Sequence, residues 1–399
     1  MSDSLTFQKL VKAESAEVYH ALTNSTRLRE WMCDVSTTDP KPGGRVYFAW
    51  FPGFYSCGDF TTLEPAKSVA FTWFGRGEIR PTLVTYNLSA QEDGTLVTLV
   101  HSGLGEGDDW EHIRKNFQHN WDSALENLAS IMETGQDLRI IHRPMLGIYI
   151  DDFNAEIAHK MGLPITEGIR LSGVVEGMGA HAAGLQADDV LVRIGNFEIH
   201  DYGTLGYVLN AYKAGDQVAV DLFRQGKKET LQMKLSGRSI PEIPSTPQGL
   251  SQKVAESYAK ARADLSEVLT GVSEAAASTK PGPEEWSVKE TLAHLIHSER
   301  GLQNGIQDIL GSYEPIYDDG SNLPARIAAT LQAFPTLKEL EEELNRLLDE
   351  TIALVGFIPS EFTKHKSSYW RLGYQLVQVT IHIDGHMEQI KAAVKAASA

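Results

Sequence analysis

Two histidines, His382 and His386, stand four residues apart in the stretch HIDGHMEQI near the end of the chain. Residues at that spacing share one face of a helix, so both imidazoles can aim at a single cation. A metalloprotease motif carries Glu directly after its first His. Here that position is Ile383, and Asp384 points roughly away from the shared face. The segment therefore offers nitrogen ligands without a built-in general base. Glu299 and Glu388 are unranked candidates from the same region, and no spacing marks either as that base. The HSG and LSG stretches hold serines but no G-x-S-x-G elbow, which argues against a serine hydrolase. The two cysteines, Cys33 and Cys57, have neither CxxC nor zinc spacing. They read as buried or idle thiols in a reducing, cytoplasmic setting.

The elements that position these histidines are helical from about Leu250 onward. SQKVAESYAKARADLSEVLTGV repeats apolar residues at Val254, Tyr258, Ala261, Leu265 and Leu269. WSVKETLAHLIHSERGLQNGIQDIL opens with Ser287 as N-cap and Glu290 three residues on, the capping-box spacing. TLKELEEELNRLLDETIALVGFI and YQLVQVTIHIDGHMEQIKAAVKAA complete a predicted four-helix bundle over residues 250–399. The pair EEWSVKETLAHLIHSE and HIDGHMEQI, with its H-x-x-x-H-x-x-Q-I pattern, resembles the DinB-like family of metal-binding four-helix bundles. The resemblance implies a divalent-metal site of His294, His382 and His386, with His297 as runner-up third ligand and His365 less suited. Three neutral imidazoles leave a coordination position open, as catalytic sites do, and suit zinc or nickel.

Before the bundle, GRSIPEIPSTPQGL carries Pro241, Pro244 and Pro247 and reads as a semi-extended linker over residues 237–249. Residues 142–236 hold PMLGIYI, a short helix in NAEIAHKMGLP, then AAGLQADDVLVRIGNFEI and KAGDQVAVDLFRQGK. This order resembles a bacterial PDZ domain of the type found on HtrA-like proteases, with one departure, Ala187, where that family usually has Gly before Asp. The resemblance implies β-augmentation by a protein C-terminal peptide. Its terminal carboxylate would meet the loop Leu146, Gly147 and Ile148, and its side chain a pocket of Leu205, Val208 and Leu209. The alternative is a PDZ fold used for internal docking.

Residues 1–137 alternate like a sheet and close with a helix. VKAESAEVYHALTNSTRLREWM reads as a strand and then a helical segment, and GGRVYFAW, YSCGDFTTLEP and SVAFTWFG as strands. TLVTYNLSAQEDGTLVTLVHSGL reads as a hairpin turning at Asp93-Gly94. Ile113, Phe117, Trp121, Leu125, Leu128 and Ile131 mark a helix over Trp110 to Met132. LREWM, PGGRVYF, FTW, DGTLVTLVHSGL and NWDSALENLASIME together resemble the START-like (SRPBCC) superfamily, in the branch related to the Hsp90 ATPase activator. The resemblance implies an α+β helix-grip fold with a pocket for an apolar small molecule. Trp50, Phe71, Trp73 and Trp121 are its candidate lining, while His101, His112 and His119 read as structural or exposed.

The fold class is thus multidomain: a helix-grip domain, a mostly-β PDZ domain and an all-α bundle. A formal net charge of −17 without basic runs argues against nucleic acid or an anionic membrane as partner. The start MSDSLTFQKL has no secretory pattern, and no apolar run is long enough to span a bilayer. For function the parts leave two readings. One is a metal-dependent transferase working on a low-molecular-weight thiol, since the bundle has no cysteine of its own; metal-assisted hydrolysis is a further enzyme option. The other is a non-enzymatic sensor or scaffold that binds a small ligand and a protein C terminus.

Overall fold

Alternation in TLVTLVHS sends Thr95, Val97, Leu99 and His101 to one face of a strand, and all four are buried. The same period builds the first sheet of the computed structural model, which describes residues 3–50, 53–209, 211–282, 285–311, 313 and 323–397. Contacts divide the chain into two compact units, Met1–Ile240 and Pro241–Ala399.

The first unit begins with β1 (Ser4–Val11), α1 (Ser15–Thr23), α2 (Ser25–Trp31), β2 (Val35–Thr38), β3 (Arg45–Trp50), β4 (Phe54–Glu64), β5 (Ser68–Gly75), β6 (Thr82–Gln91), β7 (Gly94–Ser102), α3 (Asp108–Thr134) and α4 (Leu138–Ile141). The strands form one antiparallel sheet in the order β1-β7-β6-β5-β4-β3-β2. The helical segment expected before Trp31 is two helices, because Asn24 turns extended and caps the second by accepting from the Arg27 amide. The hairpin loop is Glu92-Asp93 rather than Asp93-Gly94, since Gly94 already pairs with Gln91. A Cβ at Gly94 would stand 2.2 Å from the Val11 carbonyl oxygen. Helix α3 buries Trp110, Phe117, Trp121, Leu125, Leu128, Ile131 and Met132, the stripe that closes the sheet's inner face. It ends at Gly135, whose φ of 79° gives a left-handed cap.

The same unit continues with β8 (Ile148–Asp151), α5 (Ala155–Lys160), β9 (Ile169–Val174), α6 (Gly179–Ala183), β10 (Val190–Ile194), β11 (Phe197–Glu198), α7 (Tyr202–Leu209), β12 (Gln217–Arg224) and β13 (Lys227–Lys234). Its sheet runs β13-β12-β10-β9-β8, with β11 paired to β10, so β8 is an edge strand. Buried Asp189 accepts from the Arg224 guanidinium at 2.6 Å and from the Gln186 amide at 2.8 Å, which fixes the turn into β10. The departure placed at Ala187 in the sequence belongs one residue later. Asp188 takes the left-handed φ of 67° that glycine ordinarily fills, and its carboxylate accepts from Arg170.

The second unit comprises α8 (Pro247–Leu269), α9 (Glu274–Ser278), α10 (Val288–Leu310), α11 (Pro324–Ala333), α12 (Leu337–Gly356), α13 (Lys366–Leu376) and α14 (Thr380–Ala397). Its core joins the apolar stripes of the long helices α8, α10, α12 and α14. The capping box of Ser287 and Glu290 forms as the spacing predicts, and Thr336 with Glu339 makes a second. Two expectations change. The stretch read as a linker already belongs to the bundle at its end: Ile243 packs on the core, the Pro244 carbonyl accepts from Tyr369 Oη at 2.8 Å, and Thr246 caps α8. The fourth predicted helix is broken, with α13 ending at Leu376 and α14 starting at Thr380.

In the first sheet's core, Trp121 Nε1 donates to His101 Nδ1 at 3.0 Å, so the ring proton sits on Nε2, 2.7 Å from Thr82 Oγ1. Burial pushes the His101 pKa from 6.5 down to about 3. Between those values the unfolded chain binds a proton that the folded one does not. Stability from this group is therefore complete above 6.5 and is lost progressively as pH falls toward about 3. Chemical denaturation of His101→Gln between pH 7 and pH 4 should show a smaller loss of midpoint than the parent chain.

Candidate metal centre and peptide edge

Along α14, Ile383, Met387 and Ile390 are buried at helical spacing and anchor the helix in the core. His382, His386 and Gln389 each precede one of these residues, so they form an adjacent stripe on the rim. Helix α10 is buried without interruption from Thr291 to His297, and His294 lies in that stretch at 4% exposure. The packing brings the three imidazoles together. Their ring centroids are 4.8–4.9 Å apart, His294 Nε2 stands 2.9 Å from His382 Nε2, and His386 Nε2 stands 3.1 Å from it. One ligand atom from each lies within 4.8 Å of the others.

These distances suit a shared cation. Two imidazole nitrogens on a tetrahedral zinc, each bonded at about 2.0–2.1 Å, stand roughly 3.3 Å apart. His386 is also oriented: its Nδ1 donates to Gln389 Oε1 at 2.8 Å, which leaves Nε2 with its lone pair. Trp286, just before the Ser287 cap, stacks at 21° on His386 and packs 5.0 Å from His294. Gln389 and Trp286 lie within the HIDGHMEQI and EEWSVKETLAHLIHSE motifs, but their roles emerge only from the packing. The Gln three residues beyond the second His was the available signal, because that spacing returns a side chain to the same helix face.

The other candidates in this unit do other work. His297 Nε2 lies 2.6 Å from Thr330 Oγ1 and 3.1 Å from the Arg326 carbonyl, so it ties α10 to α11. His365 stacks on Phe362 beside the start of α13. Glu299 is buried, accepts from Tyr258 Oη at 2.8 Å and from Thr351 Oγ1, and burial raises its pKa above the usual carboxylate range. Glu388 is exposed and paired with Lys391.

At the PDZ edge, Leu146 is buried and Ile148 half-buried, with Gly147 between them at a φ of 79°. A Cβ on Gly147 would stand 2.3 Å from Met178 Cβ, so the loop needs glycine for space as well as for conformation. Leu205, Val208 and Leu209 of α7 are in the hydrophobic core, at 5%, 1% and 9% exposure, while Tyr202 and Tyr207 are the exposed aromatics of that helix. Edge strand β8 exposes Tyr149 and Ile150, an apolar pair on a free edge that soluble proteins usually blunt with charge.

Between the first sheet and α3, Phe71, Trp73 and Trp121 are buried at 1–4% exposure and Trp50 is half-buried. They lie together, ring against ring. Trp73 meets Trp121 edge-on at 5.3 Å and Trp50 at 6.0 Å, and Phe71 meets Phe48 at 5.5 Å. His101 is structural, as read, while His112 and His119 are exposed.

Fold and sites thus define a three-domain chain: a helix-grip α+β domain, a PDZ domain and a helical bundle with a histidine cluster. Family models match each part: Activator of Hsp90 ATPase homolog 1-like protein over residues 12–133, PDZ domain over 144–235 and DinB superfamily over 257–390. Among curated proteins, the probable periplasmic serine endoprotease DegP-like of Marinomonas sp. (strain MWYL1) is 32% identical over 98 residues, 25% of this chain and 21% of that protein. The serine protease Do-like HtrA of Lactococcus lactis subsp. lactis is 33% identical over 101 residues, 24% of this chain and 25% of that one. The periplasmic serine endoprotease DegP of Salmonella typhimurium is 24% identical over 195 residues, 49% and 36% of the two chains. The chain spans between about a fifth and a third of the length of these relatives. Similar solved structures include the Aha1 dimer from Colwellia psychrerythraea, with TM-score 0.29 and 23% identity over 33% of this chain and 96% of that one. Another is a protein from Mesorhizobium loti, with TM-score 0.30 and 19% identity over 33% and 96%.

Two outcomes are expected. His382→Ala should lose most of the bound metal, and Gln389→Ala should weaken affinity about 10–100-fold, whereas His297→Ala and His365→Ala should keep it; titration calorimetry with zinc measures all four. In a fluorescence-polarisation assay with free C-terminal peptides, Gly147→Asp should abolish binding, because a Cβ there collides with Met178 and shifts the loop whose amides would hold the peptide carboxylate. A thermal melt of the same variant checks that the domain stays folded.

Proposed function

We propose that the chain is a metal-dependent thiol transferase whose centre is His294, His382 and His386. The observation that carries this reading is the convergence of three Nε2 atoms from two packed helices, with His386 oriented by Gln389. A divalent ion held by these residues, zinc or nickel, would lower the pKa of a thiol or water brought to it. The chain's own residues do the rest. The three imidazoles hold the ion, Gln389 sets the tautomer of His386, and Trp286 covers two of the rings. Among the described residues the cluster consists of the three histidines alone, and Glu299 and Glu388 are engaged elsewhere. That favours a thiol, which acts as nucleophile once ionised, over metal-assisted hydrolysis. The thiol comes from outside: neither cysteine lies in the helical unit, Cys33 is buried, and burial pushes its thiol up to about 12.

A second reading rests on strand β8. Its free edge and exposed Tyr149 and Ile150 favour capture of a protein C terminus, which makes the chain a sensor or scaffold that recruits a client. An apolar guest in the first domain would enter beside half-buried Trp50 and part the rings behind it. Among the described residues, no helix is long and apolar enough to cross a membrane. We assign the chain to the cytoplasm on its two free thiols, although two of the relatives above are named as periplasmic.

Chelator-free purification followed by elemental mass spectrometry should find about one zinc or nickel per chain, since three imidazoles define one site. The loaded protein should then accelerate attack of a small thiol on a chloronitroarene. In that reaction a carbon–sulfur bond forms, chloride leaves with the carbon–chlorine electron pair, and the thiol proton passes to solvent. Loss of both metal and rate in His382→Ala is the expected result. Metal without turnover leaves the recruiting role as the better account.

A further inference from the structure

The break between α13 and α14 opens a groove of about 620 Å³ beside the histidine cluster. His382 and His386 form one wall. The rest is Tyr374, Gln375, Gln378, Val379, Ile381 and Gly385. Among the described residues, no lining residue other than the histidines can carry a charge at neutral pH, in a chain whose formal net charge is −17. Ile381 is 63% exposed, an apolar side chain held in water at the groove's rim. Gln378 donates to the Tyr374 carbonyl at 2.7 Å, which turns the corner between the helices and fixes that side chain in the wall. Gly385 lies in α14 between the two histidines, and a Cβ added there would meet nothing within 4 Å. Neither conformation nor crowding requires glycine at that point, and helix propensity disfavours it. Its effect is to leave the groove without a side chain beside the two imidazoles.

Resting on the metal reading above, we propose that this groove selects a ligand whose arm beyond the coordinating atom is uncharged and mainly apolar, and that Gly385 keeps the path to the cluster open. Val379, Ile381 and the Tyr374 ring cover the apolar arm, and Gln375 and Gln378 provide neutral hydrogen-bonding groups. A charged arm would lose hydration there without an opposite charge to meet.

The test uses the full chain loaded with cobalt, whose visible spectrum reports on its ligands. Benzyl mercaptan, cysteamine and mercaptosuccinate carry a neutral, a cationic and an anionic arm, and the sulfur-to-cobalt charge-transfer band measures the binding of each. Benzyl mercaptan should bind about tenfold or more tighter than either charged thiol, the scale of burying one such arm. Including both charge signs separates the groove's choice from the acidity of the whole chain. Gly385→Leu should keep cobalt stoichiometry and lose benzyl mercaptan by about the same factor, whereas Gly385→Ala, with a far smaller side chain, should lose little. Equal binding of the three thiols, or unchanged binding in Gly385→Leu, overturns the proposal while the metal reading stands. If the parent chain takes up no cobalt, the metal reading fails and this inference falls with it.

Discussion

Holding three imidazole nitrogens within 4.8 Å of one another is the constraint on which the candidate centre depends. The rings gain little from one another; what keeps them together is the apolar packing behind them. On α14 the buried stripe of Ile383, Met387 and Ile390 sets the rotation of the helix, and the stripe one residue back then carries His382, His386 and Gln389 to the rim. On α10 the surroundings of His294 are buried on all sides, so that ring's place is set by Leu292, Leu295 and Ile296 rather than by its own polar contacts. The histidine cluster is thus a product of the hydrophobic core, and a cavity in that core would disturb its geometry at a distance.

The PDZ edge follows a similar logic with backbone in place of side chains. Gly147 allows the loop to pass against Met178, and Asp189 with Arg224 pins the turn into β10. Strand β8 is left as a paired strand on one side and a free edge on the other. The recognition proposed there would depend on the absence of a neighbour rather than on any reactive group, which is why a PDZ-like sequence says more about the mode of binding than about the partner.

The first domain shows how a polar residue can sit in an apolar interior. His101 occupies the last inward position of β7, where alternation alone puts it, and Trp121 and Thr82 satisfy both its nitrogens. The aromatic side chains around it make one continuous contact set from Trp50 to Phe117. Likeness in composition between a pocket wall and a core makes these rings the least decidable part of the sequence.

Local chemistry determined a large share of this protein by sequence alone. The Ser287–Glu290 capping box, the period of α3, the alternation of β7 and the four-residue spacing of His382 and His386 are all interactions within one element, and each appears where its residues place it. The two sheets and the helical bundle followed from the same periods together with family likeness. Tertiary structure decided what depends on residues far apart in the chain. It drew His294 to His382 and His386 across 88 residues while sending His297 to Thr330, although both histidines lie on one helix a turn apart. It placed the left-handed residue at Asp188, split the predicted fourth helix at the groove, and turned Leu205, Val208 and Leu209 into the core. Those outcomes are choices among faces and registers that are equivalent within a single element, and only packing against other elements separates them.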